Sequence, residues 1–239
     1  MLEIRYGRGF SLTWWRETMD QYEISYFDPK SEWSIVERGL PHWSQAGCVV
    51  FITWRLGDSL PVDALSRLDA EIDAALHSEQ LDPSADWKLQ LASRSPERRG
   101  KVQWKLFAIR DKFLDAGHGA CHLANPLDAT TVMNSLQKFD GDRYFLTDAV
   151  VMPNHAHFLC AFANEEGMLK QCTEWKRYSG RMIHQRLGLS GEFWQVDQFD
   201  HLIRSPEQFE HYRRYIAKNP VQANLRGGTF LHYQKLLMS

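Results

Sequence analysis

The chain is short of cysteine, of long apolar runs and of net charge, and each shortage closes off a class of protein. Its four cysteines, Cys48, Cys121, Cys160 and Cys172, lack paired spacing among 239 residues. That argues against a disulfide scaffold and fits a reducing, cytoplasmic setting. The longest apolar runs fall far short of the roughly 20 residues that span a bilayer, so no membrane partner is expected. Glu3, Arg5 and Arg8 stand where a signal peptide would carry its apolar core, and none is expected. A net charge of -2 gives no global pull towards nucleic acid, so any such role needs a local basic surface. No glycine-rich phosphate loop is visible, and no nucleotide cofactor is expected. What is plentiful is aromatic: nine tryptophans within 13% aromatics, enough for a core and for stacking on unpaired bases. With 44% hydrophobic residues and a mean hydropathy of -0.45, the chain reads as globular.

Along the chain, residues 1–45 read as an arm whose tryptophans, Trp14, Trp15, Trp33 and Trp43, pack on the main domain. Cys48–Leu56 is β-branched and aromatic, the mark of a strand. Val62–His77 repeats its apolar residues at helical spacing, through Leu65, Leu68, Ile72 and Leu76. Residues 78–100 are polar and read as a loop or insertion, and Val102–Leu114 as a helix. His118, Cys121 and His122 in the turn that follows lack a second half-site for zinc. A helix capped by Asp128 runs to about Phe139. Tyr144–Met152 and His155–Phe162 read as strands joined through Pro153-Asn154, which is turn chemistry. Met168–Leu187 is a helix with Tyr178 on its apolar stripe. Ser205-Pro206 opens the last helix, with Phe209, Tyr212 and Ile216 on its stripe, and Asn219-Pro220 closes it. The order gives an α+β fold, an antiparallel sheet with helices on one face, plus an N-terminal arm and a helical insertion.

Two stretches carry chemistry. On a strand, His155 and His157 project from one side and Ala156 from the other, so the two imidazoles form a pair of metal ligands. An ordinary half-buried strand with two histidines is the plain alternative. On the last helix Tyr215 and Asn219 lie one turn apart on one face. Together, His155, His157 and the Asn219 carboxamide oxygen would give a divalent ion three ligands, a mixed nitrogen and oxygen set suited to Mg²⁺ or Mn²⁺. The ion would polarise a phosphate. Tyr215 would then attack phosphorus, leaving a phosphotyrosine and a free 3′-hydroxyl. Lys176, Arg177, Arg181, Arg204, Arg213, Arg214 and Lys218 are candidates for phosphate contacts.

The chain resembles the REP-associated tyrosine transposases, the single-tyrosine branch of the HUH endonuclease superfamily. The resemblance covers roughly residues 40–226. It rests on Leu40-Pro41-His42-Trp43, the strand ending Thr53-Trp54-Arg55-Leu56, the run Val150–His157, Trp175-Lys176-Arg177, Phe193-Trp194-Gln195, Phe199-Asp200-His201 and Tyr215–Val221. It implies a ferredoxin-like, RRM-like HUH nuclease domain over 46–226, in which 78–125 is an insertion or a family-specific region, with 227–239 as a tail. It further implies cutting and rejoining of single-stranded, hairpin-forming DNA through a 5′-phosphotyrosine, with Mg²⁺ or Mn²⁺ as cofactor. Hairpin DNA is the implied partner, and the protein would act as a monomer or homodimer. The metal histidines map onto His155 and His157, the nucleophile onto Tyr215 and the helical ligand onto Asn219. Asp200 and His201 fall where partners supporting the ligands are expected. A hairpin-binding descendant that no longer cuts and a hydrolase that activates water stay as alternatives.

Overall fold

A five-stranded antiparallel sheet carries the histidine run on its middle strand. The computed structural model describes residues 24–28, 30–32, 34–38, 40–196 and 198–237. The strands are β3 (Val49–Arg55), β4 (Tyr144–Val151), β5 (His155–Phe162), β6 (Phe199–Leu202) and β7 (Leu231–Gln234). Their order is β6-β3-β5-β4-β7. A separate hairpin of β1 (Ser34–Arg38) and β2 (Leu40–Ser44) precedes them. Of the expected aromatic arm, Trp14, Trp15 and Trp33 lie outside the described residues, as does the side chain of Trp43. The remaining elements are helices: α1 (Val62–Ser78), α2 (Trp87–Ala92), α3 (Pro96–Asp115), α4 (Pro126–Gln137), α5 (Glu165–Leu187) and α6 (Pro206–Gln222). None of these helices is long and apolar enough to cross a membrane.

The α+β class and the antiparallel sheet are as expected, but helices cover both faces rather than one. The strands explain why. All eight residues of β4 and all eight of β5 are buried, and a strand apolar on both sides needs cover on both sides. One face, with Ile52, Trp54, Ala156 and Phe158, packs on α4 and α5. The other, with Phe51, Val150, Met152 and Leu159, packs on Phe107 of α3 and on Phe209, Tyr212 and Ile216 of α6. Each such apolar side chain contributes roughly 1.5–3 kcal/mol on burial. The register shift between Leu146 and Asp148 opposite β5 leaves Thr147 as an extra residue, a bulge that returns Asp148 and Val150 to the α6 face.

Four local expectations change. Helix α3 begins at Pro96, inside the stretch read as a loop, because Ser95 caps it by accepting a hydrogen bond from the Arg98 amide. The cap of α4 is Asn125, not Asp128, which is buried and bound by Arg186. Helix α6 runs through Pro220 to Gln222, since a proline in the last turn forfeits one backbone bond without ending the helix. Residues 231–234, expected in a tail, pair with β4 as the edge strand β7.

Candidate functional site

The site is assembled from three elements that meet on the α6 face of the sheet. Strand β5 brings His155 and His157 to that face with no exposed surface on either, while Ala156 enters the opposite core as expected. Their rings lie 4.7 Å apart. Helix α6 brings Tyr215 and the fully buried Asn219. Helix α3 brings Asp111, which the sequence reading missed. Ligand atoms of Asp111, His155 and His157 lie within 4.8 Å of one another, the one such cluster among the described residues.

The hydrogen bonds around the histidines fix how they present themselves. The Asn154 amide donates to the carbonyls of Leu114 and His118, at 3.0 and 3.2 Å. Its Oδ1 therefore faces His155 Nδ1, 2.7 Å away, so Nδ1 carries the proton and donates. That leaves a lone pair on His155 Nε2. Thr53 Oγ1 sits 2.8 Å from His157 Nδ1 and can hold the second ring in the same tautomer. Outer contacts of this kind orient metal-binding imidazoles. The Pro153-Asn154 turn thus also aims a ligand.

Tyr215 donates its hydroxyl proton to Asp111 Oδ2. Asn219 Nδ2 donates to the same oxygen at 3.2 Å, and to the Tyr215 oxygen at 3.3 Å. The Asn219 carboxamide oxygen is therefore turned away from Asp111 and towards His155. The other carboxylate oxygen, Asp111 Oδ1, lies 3.1 Å from His157 Nε2. Four buried atoms, Asp111 Oδ1, His155 Nε2, His157 Nε2 and Asn219 Oδ1, have no hydrogen-bond partner, and Asp115 Oδ1 is a fifth, 3.8 Å from His155 Nε2. A cluster of buried polar atoms without partners is costly unless a cation is shared. Two imidazole nitrogens with carboxylate and amide oxygens suit a divalent ion such as Mn²⁺ or Mg²⁺, so the residues fit the group.

Electrostatics agree with the geometry. Burial, then the neighbouring His157, pushes the His155 pKa down to about 3, so His155 is neutral at ordinary pH. Burial works against the Asp111 charge, but His157 and the hydrogen bonds to it outweigh that and hold its pKa below the usual value. Burial, then the Asp111 charge, pushes Asp115 up to about 7. Burial and then Asp111 raise the Tyr215 pKa far above that of a free phenol.

These shifts give a pH dependence with a definite sign. Burial and then Arg204 lower His201 to about 4. His155 and His201, depressed in the fold, contribute stability that is present above pH 6.5 and lost as pH falls through their folded values. Asp115, raised in the fold, acts oppositely, its contribution being lost as pH rises towards 7. His211 and His232 are depressed as well, so the depressed groups outnumber the raised one and the metal-free protein should lose stability between pH 6.5 and 4. Chemical denaturation at the two pH values checks it, and equal stabilities would overturn it.

Other expected site residues separate. Asp200 pairs with Ile52 and His201 with Phe51, so the two point to opposite faces of β6. Asp200 turns towards Cys172, away from the histidines. His201 is on the site's face but bonds Gln208 and packs on Tyr212. The side chains that bond the two imidazoles are instead Asn154 and Thr53. Among the basic residues, Arg204, Arg214 and Lys218 are exposed on the α6 side, whereas Arg177 and Arg181 are exposed on α5 across the sheet. Lys176 donates to the carbonyls of Gln195 and Val196, both at 3.1 Å, and so anchors that segment. Arg213 leaves the set altogether: it is ion-paired with Asp148 at 3.1 Å. Tyr178, read as core, is 46% exposed, because the buried stripe of α5 runs through Trp175, Ser179 and Ile183. Tyr212 is buried as expected. Cys121 Sγ bonds the Gly117 carbonyl, and its neighbouring histidines form no metal cluster.

One signal for Asp111 was legible. Trp104, Phe107, Asp111 and Leu114 share one face of a helix by spacing, which puts a carboxylate on an aromatic stripe.

Fold and site together define an α+β protein with a buried centre of two histidines, an aspartate and an asparagine amide beside a tyrosine hydroxyl. No family model matches the chain, and no curated protein does. Among solved structures it is similar to a REP-associated tyrosine transposase bound to a REP hairpin, at 16% identity. That likeness covers 74% of this chain and 69% of the other, with a TM-score of 0.36.

Proposed function

We propose that the protein is a metal-dependent single-stranded DNA endonuclease and strand transferase of transposase type, acting on hairpin-forming DNA through Tyr215. The observation that carries this reading is the set of partnerless buried acceptors gathered beside a tyrosine whose hydroxyl is already bonded to a carboxylate. His155, His157, Asn219 and Asp111 would hold a Mg²⁺ or Mn²⁺ ion, which supplies Lewis-acid polarisation of the scissile phosphate.

The chain's own residues do the rest. Asp111 Oδ2 fixes the Tyr215 oxygen and is the acceptor at hand for its proton. The Tyr215 oxygen bonds to phosphorus, the bond from phosphorus to the 3′-oxygen breaks, and that oxygen leaves as a hydroxyl on taking up a proton. The 5′ side stays linked to Tyr215 as a phosphodiester. Attack by a 3′-hydroxyl reverses the step and returns the proton, so rejoining needs no nucleotide. Asn154 keeps the His155 lone pair turned inward, and Thr53 holds the His157 ring in place.

The test is a denaturing gel of end-labelled hairpin DNA incubated with protein and Mn²⁺. A protein-linked band is expected for the wild type. Tyr215→Phe and His157→Ala should lose it by at least about 10⁴-fold, the scale of removing a nucleophile. Binding without cutting in any divalent metal would point instead to a DNA-binding descendant. Cleavage that survives Tyr215→Phe would mean that water is the nucleophile.

A further inference from the structure

We infer that the seam between α3 and α6 is a track for an unpaired nucleic-acid strand leading to Tyr215. The inference rests on the proposed role of Tyr215 only in taking that residue as the end of the track.

Both helices run the same way. Trp104 of α3 meets His211 of α6, with ring centroids 4.8 Å apart, and Asp111, further along α3, meets Tyr215, further along α6. Arg99 stands in the first turn of α3 and Arg204 just before the Ser205 cap of α6, so both cations belong to the start of the seam, and the Arg99 charge, after burial, lowers the Arg204 pKa. From Arg99 to Asp111 the helix rises about 18 Å at 1.5 Å per residue, a length of a few nucleotides.

Chemically, the line reads cation, aromatic, cation, nucleophile. Arg99 donates only to the Ala92 carbonyl, and Arg204 reaches the Phe27 ring at 6.0 Å; neither guanidinium has a carboxylate partner among the described residues. Trp104 is partly exposed and His211 is exposed, and the Trp104 ring also lies 5.6 Å from Tyr215. On α6, His211, Arg214 and Tyr215 share a stripe at helical spacing, and Arg214 is exposed. Cations that follow a backbone, interleaved with rings on which bases stack, are what a single strand needs. A duplex offers no free base face, and a small anion would not use the rings. On a protein of net charge -2 the strip is a local feature.

The experiment uses the full-length Tyr215→Phe protein without metal, so that binding is read apart from cleavage. Fluorescence anisotropy would follow labelled unpaired DNA, a blunt hairpin and the same hairpin with an unpaired tail. Trp104→Ala and His211→Ala should each weaken unpaired and tailed DNA roughly 5- to 100-fold, the range for loss of one stacked base, and leave the blunt hairpin within about twofold. Trp104→Phe should keep most of the affinity, which separates stacking from a folding defect. Arg204→Ala should reduce the slope of log K against log salt by about 0.7, one phosphate contact on a single strand. Unchanged affinity in Trp104→Ala, equal loss on the blunt hairpin, or no binding of unpaired DNA would overturn the track. Failure of wild-type protein to form a covalent adduct would remove the nuclease reading while leaving this titration to decide the seam.

Discussion

Asparagine in place of Asp111 should remove divalent metal binding while leaving the metal-free protein at least as stable as the wild type. In the wild type, Asp111 Oδ1 and His157 Nε2 face each other at 3.1 Å without a hydrogen bond that joins them. A carboxamide there would turn its NH2 to the imidazole, and its oxygen would still accept from Tyr215 and Asn219. One new buried hydrogen bond is worth about 1 kcal/mol net, and the charge that raises the Asp115 pKa disappears with it. Metal binding moves the other way. An anionic ligand becomes an amide, and affinity for Mn²⁺ should fall by at least about 100-fold, more than the loss of an outer partner causes. Calorimetric titration with Mn²⁺ and thermal melting measure the two effects on one sample. The stabilisation expected from metal in the wild type, about 2.7 kcal/mol at a hundred times Kd, should be absent in the variant. Full-strength Mn²⁺ binding by Asp111→Asn would show that α3 supplies no ligand.

Alanine at Arg213 should cost about 3–5 kcal/mol of stability and leave the salt dependence of the proposed DNA binding unchanged. Arg213 is 15% exposed and grips the fully buried Asp148 through its Nε, while its other nitrogens reach the Lys235 carbonyl and Glu210. Gln234 also donates to Asp148. One guanidinium therefore ties α6 to β4 and to the stretch after β7. Removing it strands a carboxylate in the sheet, and the cost is that of an uncompensated buried charge. The pair itself need not be net stabilising, so Asp148→Asn should cost less than Arg213→Ala. Urea denaturation and the salt dependence of DNA binding check both halves. Unchanged stability with a shallower salt slope would return Arg213 to the phosphate-contacting set.

Much of the molecule was legible because its periods are short-range. The alternation of β5 placed His155 and His157 on one side and Ala156 on the other, and the pleat leaves no other choice. The spacing of Tyr215 and Asn219 placed them on one face of a helix in the same way. What was lost locally was lost to competing cues. The prolines and charges over residues 78–100 hid the Ser95-Pro96 start of α3, although Ser205-Pro206 marks the start of α6 in the same way. Arg213 looked like its exposed neighbour Arg214 because nothing in a helix period reveals a buried acid on a strand.

By itself, then, the sequence determined the strand that bears the histidines, the helix that bears the tyrosine and the asparagine, and the α+β class, all set by side-chain periods within single elements. Long-range packing set the rest: α3 lays Asp111 against His157 and Tyr215, Asn154 orients the His155 imidazole, and Asp200 faces the other core. Each of those depends on contacts between residues far apart in the chain, such as Tyr215 and Asp111 at 104 positions. The packing of two helices on a doubly covered sheet settles such contacts, and no local pattern encodes it.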